Sequence, residues 1–211
     1  LRSDRIDTTG LVVRRSRRFL SRGQGQSARS GALPAGPSAP NTGPAPVYLM
    51  SALREVGVTR MDGRVEILDE DFFLYHEDTD LAWRLRLMGW AAWFDPTVIA
   101  WHARGLAGPS RLDLGSLARG RRDGARARDG LAWRNLRLMQ VKNESGRLLR
   151  RDVLHIAGRE LGSVVLLLLY GPDRRAIITS LIRSIPAARW KRRQIQARRK
   201  ATDADLGPWF A

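Results

Sequence analysis

The chain contains no cysteine. That excludes a disulfide framework, a thiolate metal site and a cysteine nucleophile, and it fits a reducing compartment. Long apolar runs are missing as well. The most apolar stretch, Val164–Tyr170, has seven residues, whereas a membrane span needs about twenty. Leu11–Val13 is far too short for the apolar core of a secretory signal. Lysine is scarce: of 37 basic residues only Lys142, Lys191 and Lys200 are lysines, and the rest are arginines. There is no internal repeat, and no recognised nucleic-acid-binding motif appears.

What is present is positive charge, unevenly placed. The formal net charge is +16 over 211 residues, a length that suits one domain with a real core or one small domain plus appendages. Between Glu66 and Asp95 there are eight acidic residues and two basic ones, and between Gly146 and Lys200 fourteen basic and three acidic. An acidic centre suits a catalytic or metal site, and a basic tail suits phosphate-bearing surfaces, lipid or nucleic acid.

Five segments follow. Residues 1–26 are basic and partly extended, with short strands expected around the turn at Thr8–Gly10. Residues 27–46 are rich in Gly, Pro, Ala and Ser and read as a flexible loop. Residues 47–104 hold the most structured stretch: a helix over Val47–Val58, a second over about Glu77–Met88 with Leu81, Leu85 and Met88 on one side, and a stop at Gly89. Strands are expected at Trp90–Phe94 and Val98–Trp101. Residues 105–130 are a basic, Gly-rich connector. Residues 131–211 read as basic, amphipathic helices interrupted by Gly171-Pro172 and Pro186, of the kind that lie in a membrane interface or against another protein.

Chemistry concentrates in Asp69–Trp90, DEDFFLYHEDTDLAWRLRLMGW. Glu77, Asp78 and Asp80 cluster at a helix N-terminus, where the dipole alone favours acids. Beside a mouth of Phe72, Phe73 and Tyr75, Asp78 and its neighbours can equally serve as a general base, activating a hydroxyl within hydrogen-bond reach. His102 ends the following strand. It is either a packed or surface residue or, near carboxylates, a ligand completing an Mg2+ or Mn2+ site.

This run, continued by DPTVIAWH, resembles the signature of inverting family 2 glycosyltransferases of the rhamnosyltransferase-like group, over about 35 residues from Leu68 to His102. Weaker similarity links Asp4–Gly10, Val47–Val58 and the "R-N…K-N" helix at Trp133–Asn143 to the same family. The resemblance implies an α/β fold: the C-terminal part of the mixed sheet of a GT-A domain, followed by the basic helices. It implies Asp78 as the base that deprotonates an acceptor hydroxyl, with Glu77 and Asp80 as the accompanying acids. His102 would help hold Mg2+ or Mn2+ on the donor diphosphate. The implied reaction is transfer of a sugar (a hexosyl group) from a nucleotide-sugar donor to a cell-envelope glycan or lipid-linked acceptor, with inversion. The implied location is cytoplasmic, at the inner face of the membrane.

The family's nucleotide-binding strands and Asp-x-Asp ligands have no counterpart before Asp4, and the chain opens on Leu1 rather than Met. The expectation is therefore a truncated chain that is inactive alone, with apolar sheet edges exposed. Two alternatives remain: a non-catalytic peripheral membrane protein held by the basic tail, and a nonspecific nucleic-acid binder using the run Arg189–Lys200.

Overall fold

A computed structural model describes residues 4–28, 34–38, 45–101, 123–170 and 173–210. The protein is mixed α/β and mostly helical, and its strands are short. Three two-stranded antiparallel sheets form: β1 (Leu11–Val13) with β2 (Phe19–Ser21), β3 (Gly36–Ser38) with β6 (Ala92–Phe94), and β4 (Val58–Thr59) with β5 (Val65–Glu66). Among the described residues the strands thus form separate antiparallel pairs, two of them local hairpins and the third, β3 with β6, joining segments far apart in sequence. The parallel pairing among the described residues is a single bridge from Val13 to Phe210.

The α-helices among the described residues are α1 (Met50–Val56), α2 (Glu77–Leu87), α3 (Asp123–Asn143), α4 (Gly146–Arg151), α5 (Val153–Tyr170), α6 (Arg174–Arg198) and α7 (Asp203–Leu206). α2 forms where the periodicity placed it and ends at Gly89, whose φ of +87° is cheap only for glycine. Its burial exceeds that of a one-faced helix. Leu81, Ala82, Trp83, Leu85 and Leu87 are all buried, so neighbours cover it from several sides. α1 contributes Ala52 and Val56, α3 contributes Leu138 and Met139, and the chain's end contributes Trp209 and Phe210. Trp83 meets Trp209 and Phe210 edge-on at ring separations of 5.6 and 5.7 Å, with Phe19 of β2 tilted against it at 6.0 Å. Such pairs each add about 0.5–1.5 kcal/mol beyond the area they bury.

α3 lies along α6 in the most extensive helix pairing of the molecule. Two arginines lock the N-terminal hairpin on, Arg15 donating to Asp152 at 2.7 Å and Arg17 making the larger set of bonds. Fully buried Arg17 donates two hydrogen bonds to the Glu144 carboxylate, at 2.6 and 3.0 Å, and one to Asp152 at 2.8 Å, while stacking on Phe210. Burial alone would raise the Asp152 carboxyl, but Arg151, Arg17 and Arg15 hold it well below the usual carboxylate range.

Several sequence expectations change. Val98–Trp101 is not in a strand, and Val98, Ile99 and Trp101 are exposed. The loop over 27–46 yields one paired segment, β3, and the helix expected from Leu131 begins at Asp123. No helix among the described residues is long and apolar enough to cross a membrane.

Candidate functional site

The three acids at the start of α2 meet three different environments. Asp80 is fully buried. Its Oδ2 accepts from Arg84 Nε at 2.9 Å and Lys142 Nζ at 2.8 Å, and its Oδ1 from Asn143 Nδ2 at 2.7 Å. Arg84, four residues on along α2, also donates to the carbonyls of Val56 and Ile67, so it ties the helix to α1 and the β5 end. Both Asp80 oxygens are thus committed inside the core.

Asp69 extends this network. Its carboxylate takes Lys142 on one oxygen and Lys191 on the other, and Lys191 Nζ also pairs with Asp71 at 2.7 Å and Glu66 at 2.5 Å. Burial would raise the Asp69 carboxyl, but the two ammonium groups overcome it and hold it far below the ordinary range. Burial opposes charge on Lys191 too, and the carboxylates around it prevail and raise its pKa.

Glu77 is half-buried. Loss of solvent raises its pKa, its own backbone N–H opposes that, and the neighbouring charge of Asp78 adds to the rise. Asp78 is partly accessible, and its Oδ1 accepts from Thr79 N at 2.6 Å and Thr79 Oγ1 at 3.1 Å. No hydrogen bond engages its Oδ2 among the described residues. Tyr48, just before α1, feels Asp78. Burial first, and then that negative charge, push its phenol up to about 12. Tyr48 was not singled out from the sequence, because a tyrosine at a helix entry carries no distinguishing pattern.

The segment leading into α2 is strained. Phe73, Tyr75 and His76 all have positive φ, at 60°, 69° and 69°, a conformation that costs a non-glycine residue on the order of 1 kcal/mol or more. A single side chain holds it. Asn135 of α3, fully buried, donates from Nδ2 to the carbonyls of Phe72, Leu74 and Tyr75 at 2.8, 2.8 and 3.0 Å. Arg134 braces it, donating to Asn135 Oδ1 at 2.8 Å and to the Asp71 carbonyl at 2.9 Å. The "R-N…K-N" residues therefore act as holders. Arg134 and Asn135 fix the turn, and Lys142 and Asn143 fix Asp80.

The expected aromatic mouth divides: Phe72 is core, Phe73 is 86% exposed and Tyr75 is half-buried. The ring of His76 keeps some accessible surface but is tightly surrounded. Its pKa falls to about 4, through burial first and then the Arg159 charge, against the pull of Asp80.

His102 lies outside the described residues. Among those described, no group of three His, Asp or Glu side chains is placed to hold a metal ion. The densest acidic group, Glu66, Asp69 and Asp71, closes on Lys191. Among the described residues no ligand set for Mg2+ or Mn2+ comes together. Two surface depressions, of about 450 Å³ beside Arg175 and Arg183 and about 210 Å³ beside Arg60 and Trp190, are not lined by Asp78. No family model matches the chain, and comparison with curated proteins and with solved structures finds no significant match.

Proposed function

We propose that this chain is the acceptor-side part of an inverting, family 2-like glycosyltransferase of GT-A type, with Asp78 as its general base. One observation carries the reading: the three acids of the helix start divide, with Asp80 locked in the buried ion-pair network and Glu77 and Asp78 outside it. Of these two, Glu77 has a carboxylate oxygen buried without a partner, whereas Asp78 is partly accessible and hydrogen-bonded at its Oδ1 to Thr79. A base must reach its proton, and Asp80, with both oxygens occupied in the core, is a structural residue. Glu77 sits beside the base as a half-buried carboxyl of raised pKa.

In the proposed step, Asp78 accepts the proton of an acceptor hydroxyl as that oxygen attacks the anomeric carbon of a nucleoside-diphosphate sugar. The new glycosidic C–O bond forms as the bond to the diphosphate oxygen breaks on the opposite face, inverting the configuration. The nucleoside diphosphate departs with the bonding pair. No step is routed through Mg2+ or Mn2+, for which the described residues offer no ligand set. The donor-binding elements belong to whatever accompanies this chain in the active protein. The acceptor is a cell-envelope glycan or lipid-linked saccharide at the inner membrane face, which the basic exterior suits.

The nucleic-acid reading has less support, because five of the seven basic residues in Arg189–Lys200 are taken up by the protein's own groups. Lys191 is buried, Arg192 donates to the Val141 carbonyl, Arg198 to those of Glu55 and Gly57, and Arg199 and Lys200 pair with Asp203 and Glu55.

The test is transfer of labelled sugar from a panel of nucleoside-diphosphate sugars into extracted membrane lipid by the full-length gene product, with the product's anomeric configuration read by NMR. Inverted product is expected. Retention, or no transfer from any donor, overturns the proposal.

A further inference from the structure

Among the described residues, one face of α5 is exposed. Leu154 (82% exposed), Leu161 (69%) and Leu168 (47%) recur every seven residues, and Val165 and Leu169 lie beside them. This spacing keeps them on one side of the helix over roughly 22 Å. The charged residues of α5, Arg159 and Glu160, are half-buried, and Arg137 of α3 pairs with Glu160. The apolar stripe therefore carries no charge of its own. The flanking elements supply it, with one sign. Arg147 and Arg150 of α4 and Arg175 and Arg183 of α6 are all exposed. Of the carboxylates in the same stretch, Asp152 is buried in ion pairs and Asp173 caps α6.

We infer that α5 lies in the plane of an anionic membrane surface, with Leu154, Leu161, Val165 and Leu168 among the acyl-chain ends and the arginines of α4 and the start of α6 on lipid phosphates. An uncharged apolar stripe between positive flanks complements a surface that is apolar within and negative at its face. The helix lies on the bilayer and does not cross it, since it is neither long nor apolar enough. The C-terminal basic run is given no part in the anchor, because Lys191 is buried and Arg192, Arg198, Arg199 and Lys200 are taken up by carbonyls and carboxylates of the protein itself. The inference rests on the membrane-surface part of the reading above and not on its chemistry.

The test is sedimentation of the full chain with phosphatidylcholine vesicles, with and without phosphatidylserine. Three proteins are compared: the wild type, the pair Leu161→Glu with Leu168→Glu, and the pair Arg189→Ala with Arg193→Ala, each checked for folding by circular dichroism. The expected result is binding to phosphatidylserine vesicles that falls about tenfold or more in the leucine pair, as loss of inserted apolar area requires, and is unchanged in the arginine pair. The absence of native cysteine allows a second readout. A polarity-sensitive dye on Leu161→Cys should brighten on these vesicles, and the same dye on Ala197→Cys should not.

Binding that survives the leucine changes and is lost with the arginine pair would overturn this inference and leave the membrane reading standing. No binding by the wild type would overturn both. If the leucine pair converts a dimer into a monomer on size exclusion and leaves vesicle binding intact, α5 is a self-association face and the inference is wrong.

Discussion

Replacing Asp80 with asparagine keeps the shape of the side chain and removes the charge on which three donors converge. Arg84 and Lys142 both point at Oδ2 and Asn143 at Oδ1, and all four residues are fully buried. An asparagine would set its own NH2 donor against at least one of these donors. Lys142 would keep Asp69 as counter-ion, but Arg84 would lose its carboxylate. Removing one partner of a buried ion pair costs about 3–5 kcal/mol, a large share of the roughly 5–15 kcal/mol that holds a domain folded. At this chain length that is about 2–4 °C per kcal/mol, so Asp80→Asn should melt on the order of 6–20 °C below the wild type. Asp78→Asn, two residues earlier, keeps the oxygen that Thr79 uses and loses only a charge at the helix start, worth about 0.3–1 kcal/mol. Thermal and urea unfolding followed by circular dichroism reads both. If the two variants are destabilised equally, or Asp80→Asn by less than about 1 kcal/mol, the division of the acids between structure and chemistry is wrong.

Three further outcomes are expected. His76 titrates near 4 in the folded protein and near 6.5 unfolded; the unfolded chain therefore binds the extra proton first, and stability falls as pH drops from 6.5 toward 4. The loss is on the order of 2 kcal/mol after discounting for the ring's partial accessibility. His76→Asn, which tolerates the left-handed backbone, should flatten the melting temperature over that window, and an unchanged slope would assign it to other groups. Asn135→Ala should cost about 2–4 kcal/mol by leaving three carbonyls of a strained turn without their donor, and limited proteolysis should then cut first within residues 72–76; cleavage elsewhere would show that the turn holds itself. Gly158→Ala should stabilise the protein by about 0.8–1 kcal/mol, because a Cβ there meets nothing within 4 Å and alanine is the better helix former; a loss in urea unfolding would reveal a constraint on that glycine.

α2 was legible because its pattern is local. Leu81, Leu85 and Met88 recur at helical spacing, and all three are buried above the Gly89 stop. The acids at its start were legible as a cluster, but their division was not. Which carboxylate turns inward depends on Lys142 and Asn143, about sixty residues away. Burial of Lys142 and Lys191 could not be read from composition either, since a lysine normally signals surface. The same applies to the basic run of α6, which reads as a free patch until its arginines find carbonyls on α1 and α3. Val98–Trp101 is a short apolar, β-branched run of the kind that favours a strand, but propensity alone does not place it in one, and its Val98, Ile99 and Trp101 side chains are exposed.

The central claim is that Asp78 performs chemistry and Asp80 holds the fold. The most direct measurement is the turnover number for sugar transfer by the full-length gene product carrying Asp78→Asn, taken beside its melting temperature. The account predicts that turnover is abolished and that the melting temperature stays within a few degrees of wild type. Retained turnover in a folded Asp78→Asn protein would contradict it.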